Sequence, residues 1–367
     1  MQASHTRWVT VALVAVALIL GVGVATFFLG TDDGTAPETA AEYVDLDLGT
    51  AAGSSATMEN LFYLPWGSGP ADASRKGEIV AISTIEAVFS SGGLVFIVDH
   101  PEGVVGARVR WFSQDGALAG TTVAPPGSTF FRPHEGGFNY VVAKSGGRSE
   151  TAVIFDVGTS IETTYAVPLQ LNSGGLAWSA GTLYASATPS DVDFEAEVIY
   201  SREVLVPVAI DGVPVGDAAA DAGSLELWGF GLDGRAYSTR TQVMGLDVSS
   251  SDVITVIGSG EERVRVPRRY RLLGVGSDSR VYLSTMPGEA IVERPVQLSA
   301  AWTSATEPFD EVLVVTLDGT IDSCITLPYS SVLVRYDGTL PMSLCEDGLY
   351  SLRADEGGVT VVVHRFQ

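Results

Sequence analysis

Two stretches of the chain carry the same pattern, Leu225–Arg240 (LELWGFGLDGRAYSTR) and Tyr270–Thr285 (YRLLGVGSDSRVYLST). When one is shifted by 45 positions onto the other, six residues coincide without a gap. The coinciding pairs are Leu227/Leu272, Gly229/Gly274, Gly231/Gly276, Asp233/Asp278, Arg235/Arg280 and Tyr237/Tyr282. Each stretch is typical of a strand, a tight turn and a second strand. A repeat of about 40 to 45 residues indicates β-propeller blades.

The core of this repeat is a glycine followed three residues later by an aromatic residue. Glycine supplies the positive φ that a tight hairpin needs, and the aromatic ring then packs from the second strand. The glycines are Gly93, Gly137, Gly181 and Gly234, with Ser279 in the fifth copy and a shorter spacing after Gly348 in the sixth. The aromatic residues are Phe96, Tyr140, Tyr184, Tyr237, Tyr282 and Tyr350. The pattern therefore predicts six units.

A second hairpin pattern alternates with the first. It is an apolar run that ends in a turn pair such as Asp-Gly, as in Val109–Gly116 and Val312–Gly319. Each unit then holds four strands, a to d, with tight a–b and c–d turns. The sixth unit stops after Val359–Phe366 and lacks strand d, which either Asn60–Pro65 or Glu78–Ile82 would supply. The predicted fold class is all-β, a six-bladed β-propeller closed by an N-terminal strand.

The first unit, Ala87–Thr122, adds a resemblance to a known family. A glycine turn leads to a strand that ends in Asp99, and Arg108-x-Arg110 then enters an apolar strand that ends in Asp-Gly. This arrangement resembles a blade of the NHL class of six-bladed β-propellers, over roughly Asn60–Gln367. The resemblance is one of architecture and implies no catalytic residues, because function within a fold depends on its sites.

The N-terminal part predicts a membrane anchor. Residues 8–30 are almost uncharged and apolar, long enough for a transmembrane helix, with Arg7 before them and Asp32 and Asp33 after them. The basic residue favours a cytoplasmic N-terminus, and a cleaved signal peptide is the alternative. The expected organisation is a cytoplasmic N-terminus at 1–7, a transmembrane helix or signal anchor at 8–30, an acidic flexible linker at 31–57 and the propeller at 58–367. The predicted location is the plasma membrane, single-pass, with residues 8–30 in the lipid bilayer and the propeller outside the cytoplasm.

Composition narrows the range of functions. A net charge of −23 argues against nucleic-acid binding, which needs a basic surface. The only two cysteines, Cys324 and Cys345, would suit a disulfide outside the cell. The repeat places them on an outer strand d and an inner strand a, and a separation too large to bridge is the alternative.

The expected binding face carries the long b–c loops, because loops on a rigid scaffold usually hold binding residues. The opposite face, built of tight turns, is expected to be featureless. The acidic run around Asp193 has two interpretations, a calcium site or a solvated surface. No catalytic residue, metal or cofactor is assigned. The candidate binding residues are Asp99, His100, Asp191, Asp193, Glu195 and Arg240.

Three functions compete at this stage. The leading prediction is a membrane-tethered, extracytoplasmic propeller that binds a partner protein or cell-surface ligand through its long-loop face. The alternative is a propeller enzyme, a lyase or hydrolase acting on a glycan or peptide at the central channel. A structural spacer is the third, and the long loops argue against it. The identity of the partner and the oligomeric state stay open.

Overall fold

The computed structural model describes residues 44–45, 56–76, 82–143, 150–167, 176–179, 181–187, 200–202, 204–215, 229–232, 236–242, 251–257, 263–267, 270–285, 308–328 and 341–366. The regular structure of these residues consists of β-strands. None of them belongs to a helix with the length and apolar character of a membrane span. The predicted span at residues 8–30 lies outside the described residues.

The strands follow one another along the described part of the chain. In chain order they are β1 (Val44–Asp45), β2 (Ala56–Pro65), β3 (Arg75–Lys76), β4 (Ile82–Ser83), β5 (Ile85–Ser91), β6 (Leu94–Asp99), β7 (Ala107–Ser113), β8 (Leu118–Ala124), β9 (Ser128–His134), β10 (Gly137–Ala143), β11 (Glu150–Asp156), β12 (Ile161–Val167), β13 (Leu176–Ser179), β14 (Thr182–Ala187), β15 (Tyr200–Arg202), β16 (Val204–Ile210), β17 (Val213–Pro214), β18 (Gly229–Phe230), β19 (Ala236–Gln242), β20 (Ser251–Ile257), β21 (Arg263–Pro267), β22 (Tyr270–Val275), β23 (Val281–Thr285), β24 (Pro308–Val315), β25 (Ile321–Pro328), β26 (Ser343–Cys345), β27 (Gly348–Ala354) and β28 (Gly358–Phe366).

Five sheets have four strands each and antiparallel neighbours. They are β5-β6-β7-β8, β9-β10-β11-β12, β13-β14-β16-β17, β22-β23-β24-β25 and β26-β27-β28-β2. Four-stranded sheets repeated along the chain are the blades of a β-propeller. The predicted all-β propeller is therefore confirmed.

The number of regular blades differs from the prediction. The strands of the expected fourth unit, β18 to β21, lie in a six-stranded sheet that also contains β1 and β15. Strand β15 comes from the b–c connection of the third unit and pairs with β19, while β1 pairs with the outer edge of β21 in parallel. The described residues thus show five four-stranded blades rather than six. A separate two-stranded sheet joins β3 and β4.

An N-terminal strand completes the last blade, as the missing strand d predicted. Strand β2 pairs antiparallel with β28, from Ala56 opposite Phe366 to Pro65 opposite Gly358. Of the two expected segments, Asn60–Pro65 therefore occupies the fourth position. The other segment, Glu78–Ile82, shares only its last residue with a strand, β4, and β4 pairs with β3. Closure by a strand from the opposite end of the chain covers the edge of β28.

The repeat found in the sequence has a common register in the structure. Gly229 stands opposite Tyr237, and Gly274 stands opposite Tyr282. Both tyrosines are buried. A Cβ added at Gly276 would lie 2.9 Å from Cε2 of Tyr282, so glycine leaves room for the ring of the following strand.

The turns confirm most of the expected backbone geometry. Gly93 and Gly181 have φ of 77° and 79°, and Ser279 adopts 62° where it replaces glycine. In the second unit the positive φ belongs to Gly136 instead of the expected Gly137. The hairpin there is shifted by one residue.

Aromatic rings hold neighbouring blades together. Phe62 of β2 packs on Phe112 of β7 with ring centroids 5.2 Å apart, and Phe96 of β6 packs on Phe138 of β10 at 5.7 Å. Phe96, Phe112 and Phe138 are fully buried. Each buried ring contributes about 1.5–3 kcal/mol through burial alone, so this side of the ring of blades is closed by packed core.

Candidate functional site

The β6–β7 connection, residues 100–106, is the one long b–c loop whose full length the structure describes. Its first residue is hydrogen-bonded to Thr84, the residue that precedes β5. The His100 amide donates to the carbonyl of Thr84 at 3.0 Å. The His100 ring lies between two acceptors, with Nε2 2.7 Å from Oε2 of Glu86 and Nδ1 3.3 Å from the carbonyl of Gly106. The ring therefore joins the two ends of the loop.

The charge on His100 strengthens this connection. A protonated imidazole donates from both ring nitrogens, which matches an acceptor on each side. The hydrogen bond to Glu86 is the main cause that raises the pKa of His100 above its ordinary value, and burial opposes the shift. The loop is held most firmly when His100 carries its proton.

The tip of the loop presents apolar side chains to solvent. Val105 is 77% exposed and Val104 is 37% exposed. The Val104 amide donates to the carbonyl of Pro101 at 3.2 Å, which closes a turn at the tip. Gly103 has φ of 82°, a conformation that suits glycine. We call residues 101–105 the loop tip. It presents two exposed valines beside the exposed carboxylate of Glu102, on a base that His100 clamps.

Asp99 does not lie on the loop face as predicted. Its side chain is fully buried at the end of β6. Arg108 binds both of its carboxylate oxygens, Nε to Oδ1 at 2.9 Å and Nη2 to Oδ2 at 2.7 Å. Arg110 and Ser74 also donate to Oδ2, at 3.0 and 2.8 Å. The assignment of Asp99 to a ligand-binding surface is therefore wrong, because the carboxylate is enclosed by its own donors.

The segment that covers Asp99 is residues 67–74, which we call the strap. It connects β2 to the first blade and lies over the Asp99 cluster. Arg110 Nη1 donates to the carbonyl of Asp72 at 2.7 Å, and Arg108 Nη2 donates to the same oxygen at 3.2 Å. Burial lowers the pKa of Arg110 to about 10, and Asp99 opposes that shift. Arg110 stays charged at neutral pH and fixes the strap.

The other predicted binding residues fall in two places. Arg240 lies in β19, and in the strand register it stands opposite Arg202 of β15. Asp191, Asp193 and Glu195 lie outside the described residues. The next described strand after them in the chain is β15, which pairs with the strand of Arg240.

The predicted disulfide does not form. Cys324 and Cys345 are both free thiols. Cys324 lies on β25, the outer edge of its blade, and Cys345 lies on β26, the opposite edge of the next sheet. The Cys345 sulfur accepts a hydrogen bond from the Ser90 amide at 3.2 Å, and burial raises the pKa of the thiol to about 12. The two free thiols thus lie on different edges of different sheets, which agrees with the alternative considered from the sequence.

The face built of tight turns was expected to be featureless, and the structure corrects this expectation. A cavity of about 300 Å³ opens between the β22–β23 turn and the β26–β27 turn. Arg280 Nη1 lies 3.4 Å from Asp278 and 3.4 Å from Asp322. The Asp347 carboxylate accepts from Ser90 and from Tyr350, both at 2.6 Å. Arg280, Asp278 and Asp347, three of the charged groups that line this cavity, are thus paired with residues of the protein.

The sequence offered no local pattern for this cavity, because its walls come from turns far apart in the chain. Within the described ranges, no three of the residue types His, Cys, Asp and Glu come together in a metal-binding arrangement.

Comparisons with known proteins give no family. No protein-family model matches the chain, and no curated protein matches it. Among solved structures, it is similar to the β-propeller domain of the trilobed protease from Pyrococcus furiosus. That alignment has 13% identity, covers 76% of this chain and 81% of that chain, and has a TM-score of 0.43.

Two further similarities are of the same kind. A structure from an analysis of two prolyl endopeptidases has 11% identity and a TM-score of 0.39, over 76% of this chain and 41% of that chain. The luciferin-regenerating enzyme has 9% identity and a TM-score of 0.40, over 84% of this chain and 95% of that chain. At these identities and TM-scores the similarities assign no role to this chain. The NHL-like family is not confirmed.

Proposed function

We propose that this protein is a binding scaffold that recognises a partner protein or cell-surface ligand through the long-loop side of its propeller. The observation that carries the proposal is the loop tip, where Val104 and Val105 are exposed on a base that His100 clamps. Exposed apolar side chains on a pre-formed loop favour association, because little conformational entropy is lost on binding.

The charges around this loop favour binding over catalysis. His100 is engaged by Glu86 and Gly106, and Asp99 is enclosed by Arg108 and Arg110. The propeller enzyme, a lyase or hydrolase, is kept as the alternative, and its residues would have to converge at the central channel.

The proposal includes a membrane tether and an extracytoplasmic location. It is supported by the apolar sequence at residues 8–30, the single basic Arg7 before it and the acidic residues that follow. Protease added to intact cells should then digest the propeller, and carbonate washing should leave the full chain in the membrane fraction. Protection of the propeller from protease, or its release by washing, would contradict the tether.

We also propose that the six-stranded sheet takes the place of a sixth blade. Strands β18 to β21 are joined in the same antiparallel order as β22 to β25, and the glycine–tyrosine pairs have the same register in both sheets. An experimental density map with five blades around the axis would contradict this arrangement.

Site-specific photo-crosslinking tests the binding face. A photoreactive residue at Val105 is compared with one at Gln114, which is exposed in the β7–β8 turn at the opposite end of the same blade. We expect an adduct with one protein from Val105 and none from Gln114. Adducts from both positions, or from Gln114 alone, would contradict the proposed face.

The captured partner then allows a quantitative test. We expect the Val104→Ser/Val105→Ser variant to bind it about tenfold more weakly, which corresponds to about 1.4 kcal/mol. Gln114→Ser serves as the matched control and should bind like the wild type. An unchanged Kd for the double variant would refute the loop tip as the contact.

A further inference from the structure

A small cavity lies where the closing blade packs on the blade before it. Its volume is about 10 Å³, which is about the space of one water molecule. Leu327 of β25 lines it from the preceding blade, and His364 of β28 lines it from the closing blade. Met58 of β2 and Met342, which directly precedes β26, also line it. Two of the five methionines of the chain thus border one cavity together with a histidine.

The strand register places these side chains on one side of the closing blade. Met58 stands directly opposite His364. Directly paired residues share a side of the sheet and have Cβ atoms about 4.5–5.5 Å apart. The register of β26 with β27 puts Met342, one residue before β26, beside Ser351. The Ser351 hydroxyl oxygen lies 3.3 Å from Nε2 of His364, so both methionines are neighbours of the same serine–histidine pair.

The surroundings of His364 suit a metal ligand. The side chain is 4% exposed, and burial lowers its pKa below 6.5. The ring is therefore neutral at pH 7, and neutral imidazole is the form that binds metals. When Nε2–H donates to Oγ of Ser351, the lone pair on Nδ1 is available to an ion. A ligating histidine typically donates its other ring nitrogen to a partner of this kind.

Packing alone does not account for Met58. A methionine that fills a gap in a core is buried, whereas Met58 is 51% exposed opposite the buried His364. It borders the cavity from the solvent side, so an ion can enter there. The methionine side chain is flexible and can place its sulfur on an ion without a change in the strands.

The donor atoms select the class of metal. Thioether sulfur and imidazole nitrogen suit soft ions such as Cu(I), whereas Mg²⁺ and Ca²⁺ need oxygen ligands. Among the described residues no carboxylate lines the cavity, and the charged neighbour of His364 in the lining is Arg353. Neutral donors beside a guanidinium favour a monovalent ion over a divalent one, because the repulsion grows with the charge of the ion.

We propose that Met58, Met342 and His364 form a binding site for a soft monovalent metal ion, Cu(I), at the junction of the last two blades. The bound ion ties β2, the strand that closes the ring, to β28 and to the start of β26. Cu(I) therefore stabilises ring closure, because a ligand that binds only the folded state raises its stability. This site does not depend on the loop tip or on its partner.

A Cu(I) titration of the full-length protein in detergent tests the site. Ascorbate keeps the copper reduced, a coloured Cu(I) chelator competes for it, and a Cys324→Ser background removes a partly exposed thiol. Met58→Leu should weaken binding at least about tenfold, since even the loss of an outer partner of a metal ligand costs that much. Met286→Leu, the same substitution elsewhere in the chain, is the matched control and should bind like the parent protein. Because Met58 is exposed, Met58→Leu leaves the core intact.

Two further measurements identify the ligands. X-ray absorption at the copper edge should show sulfur and nitrogen neighbours, and Met58→Leu should lower the number of sulfur neighbours. Cu(I) should also raise the Tm of the parent protein more than that of Met58→Leu. Absence of Cu(I) binding, equal affinities of Met58→Leu and Met286→Leu, or a copper ion without sulfur neighbours would overturn the proposal.

Discussion

Arg110 and Asp99 form an ion pair that is fully removed from solvent, with Nη2 of the arginine 3.0 Å from Oδ2 of the aspartate. The pair joins the first blade to the strap, because the same guanidinium donates to the carbonyl of Asp72. The strap follows directly on β2, the strand that closes the ring. One buried charge pair therefore links ring closure to the first blade.

Asp99→Asn should strongly destabilise the propeller. The substitution leaves the guanidinium groups of Arg108 and Arg110 without their shared carboxylate, and an unpaired buried charge costs about 3–5 kcal/mol. The measurement is the free energy of unfolding in denaturant. Glu102→Gln, an exposed carboxylate on the loop tip, is the matched control and should change little. A loss below about 1 kcal/mol for Asp99→Asn, the level of an exposed pair, would contradict the role of the cluster.

Arg110→Met should loosen the strap. The backbone of the strap is held by two hydrogen bonds, from the Gly67 amide to the Ala73 carbonyl and from the Ala73 amide to the Pro65 carbonyl. The guanidinium of Arg110 donates to the Asp72 carbonyl beside them. We expect faster amide hydrogen exchange at residues 67–73 with little change in the β9–β12 blade. Arg365→Met, which removes the partly exposed pairs of Arg365 with Glu59 and Asp347, is the control. Unchanged exchange in the strap would show that Arg110 does not hold it.

The hairpins could be predicted from sequence because they are local. The glycine that leaves room for Tyr282 lies six residues before it, and the strands that it joins are neighbours in the chain. The closing strand could be predicted as well, since a blade with three strands needs a fourth from elsewhere. Choosing Asn60–Pro65 over Glu78–Ile82 required the pairing with β28 itself.

The site residues were harder to predict because their surroundings are distant in the chain. Asp99 has the position of a loop residue, at the end of a strand, and no local pattern indicates that Ser74 and the strap cover it. The cavity beside Asp278 and Asp347 could not be predicted for the same reason, because two turns about 70 residues apart form its walls. Local periodicity assigns strands, but it does not tell which side chains a neighbouring blade buries.

Acid should weaken the closing blade through His364. This side chain is 4% exposed, its Nε2 lies 3.3 Å from Oγ of Ser351, and burial lowers its pKa below 6.5. Below pH 6.5 the unfolded chain therefore binds a proton that the folded chain excludes, and stability falls with pH until the folded pKa is reached. We expect the wild type to lose more stability than His364→Gln between about pH 7.5 and about pH 5. If the stability of the two proteins falls equally with pH, the loss of stability in acid does not come from His364.

His100 should titrate in the opposite direction. Its hydrogen bond to Glu86 raises its pKa above 6.5. The stabilisation it provides is complete below pH 6.5 and is lost as the pH rises through the folded pKa. An NMR titration of the ring should give a pKa above that of a free histidine, and Glu86→Gln should lower it. Glu102→Gln serves as the control, because Glu102 is exposed on the loop tip. If Glu86→Gln leaves the pKa of His100 unchanged, the hydrogen bond to Glu86 is not the cause of the raised pKa.

Removing the closing strand should convert the protein into an aggregating species. A chain that begins at Gly67 lacks β2, and β28 then loses all nine residue pairs that run from Ala56/Phe366 to Pro65/Gly358. An open edge with this many unpaired backbone groups recruits other chains. Size-exclusion chromatography should show oligomers and calorimetry a lower Tm, whereas a chain that begins at Tyr43 keeps both β1 and β2 and should remain like the full protein. If the chain that begins at Gly67 runs at the same size as the longer one and melts at the same temperature, ring closure by β2 does not stabilise the fold.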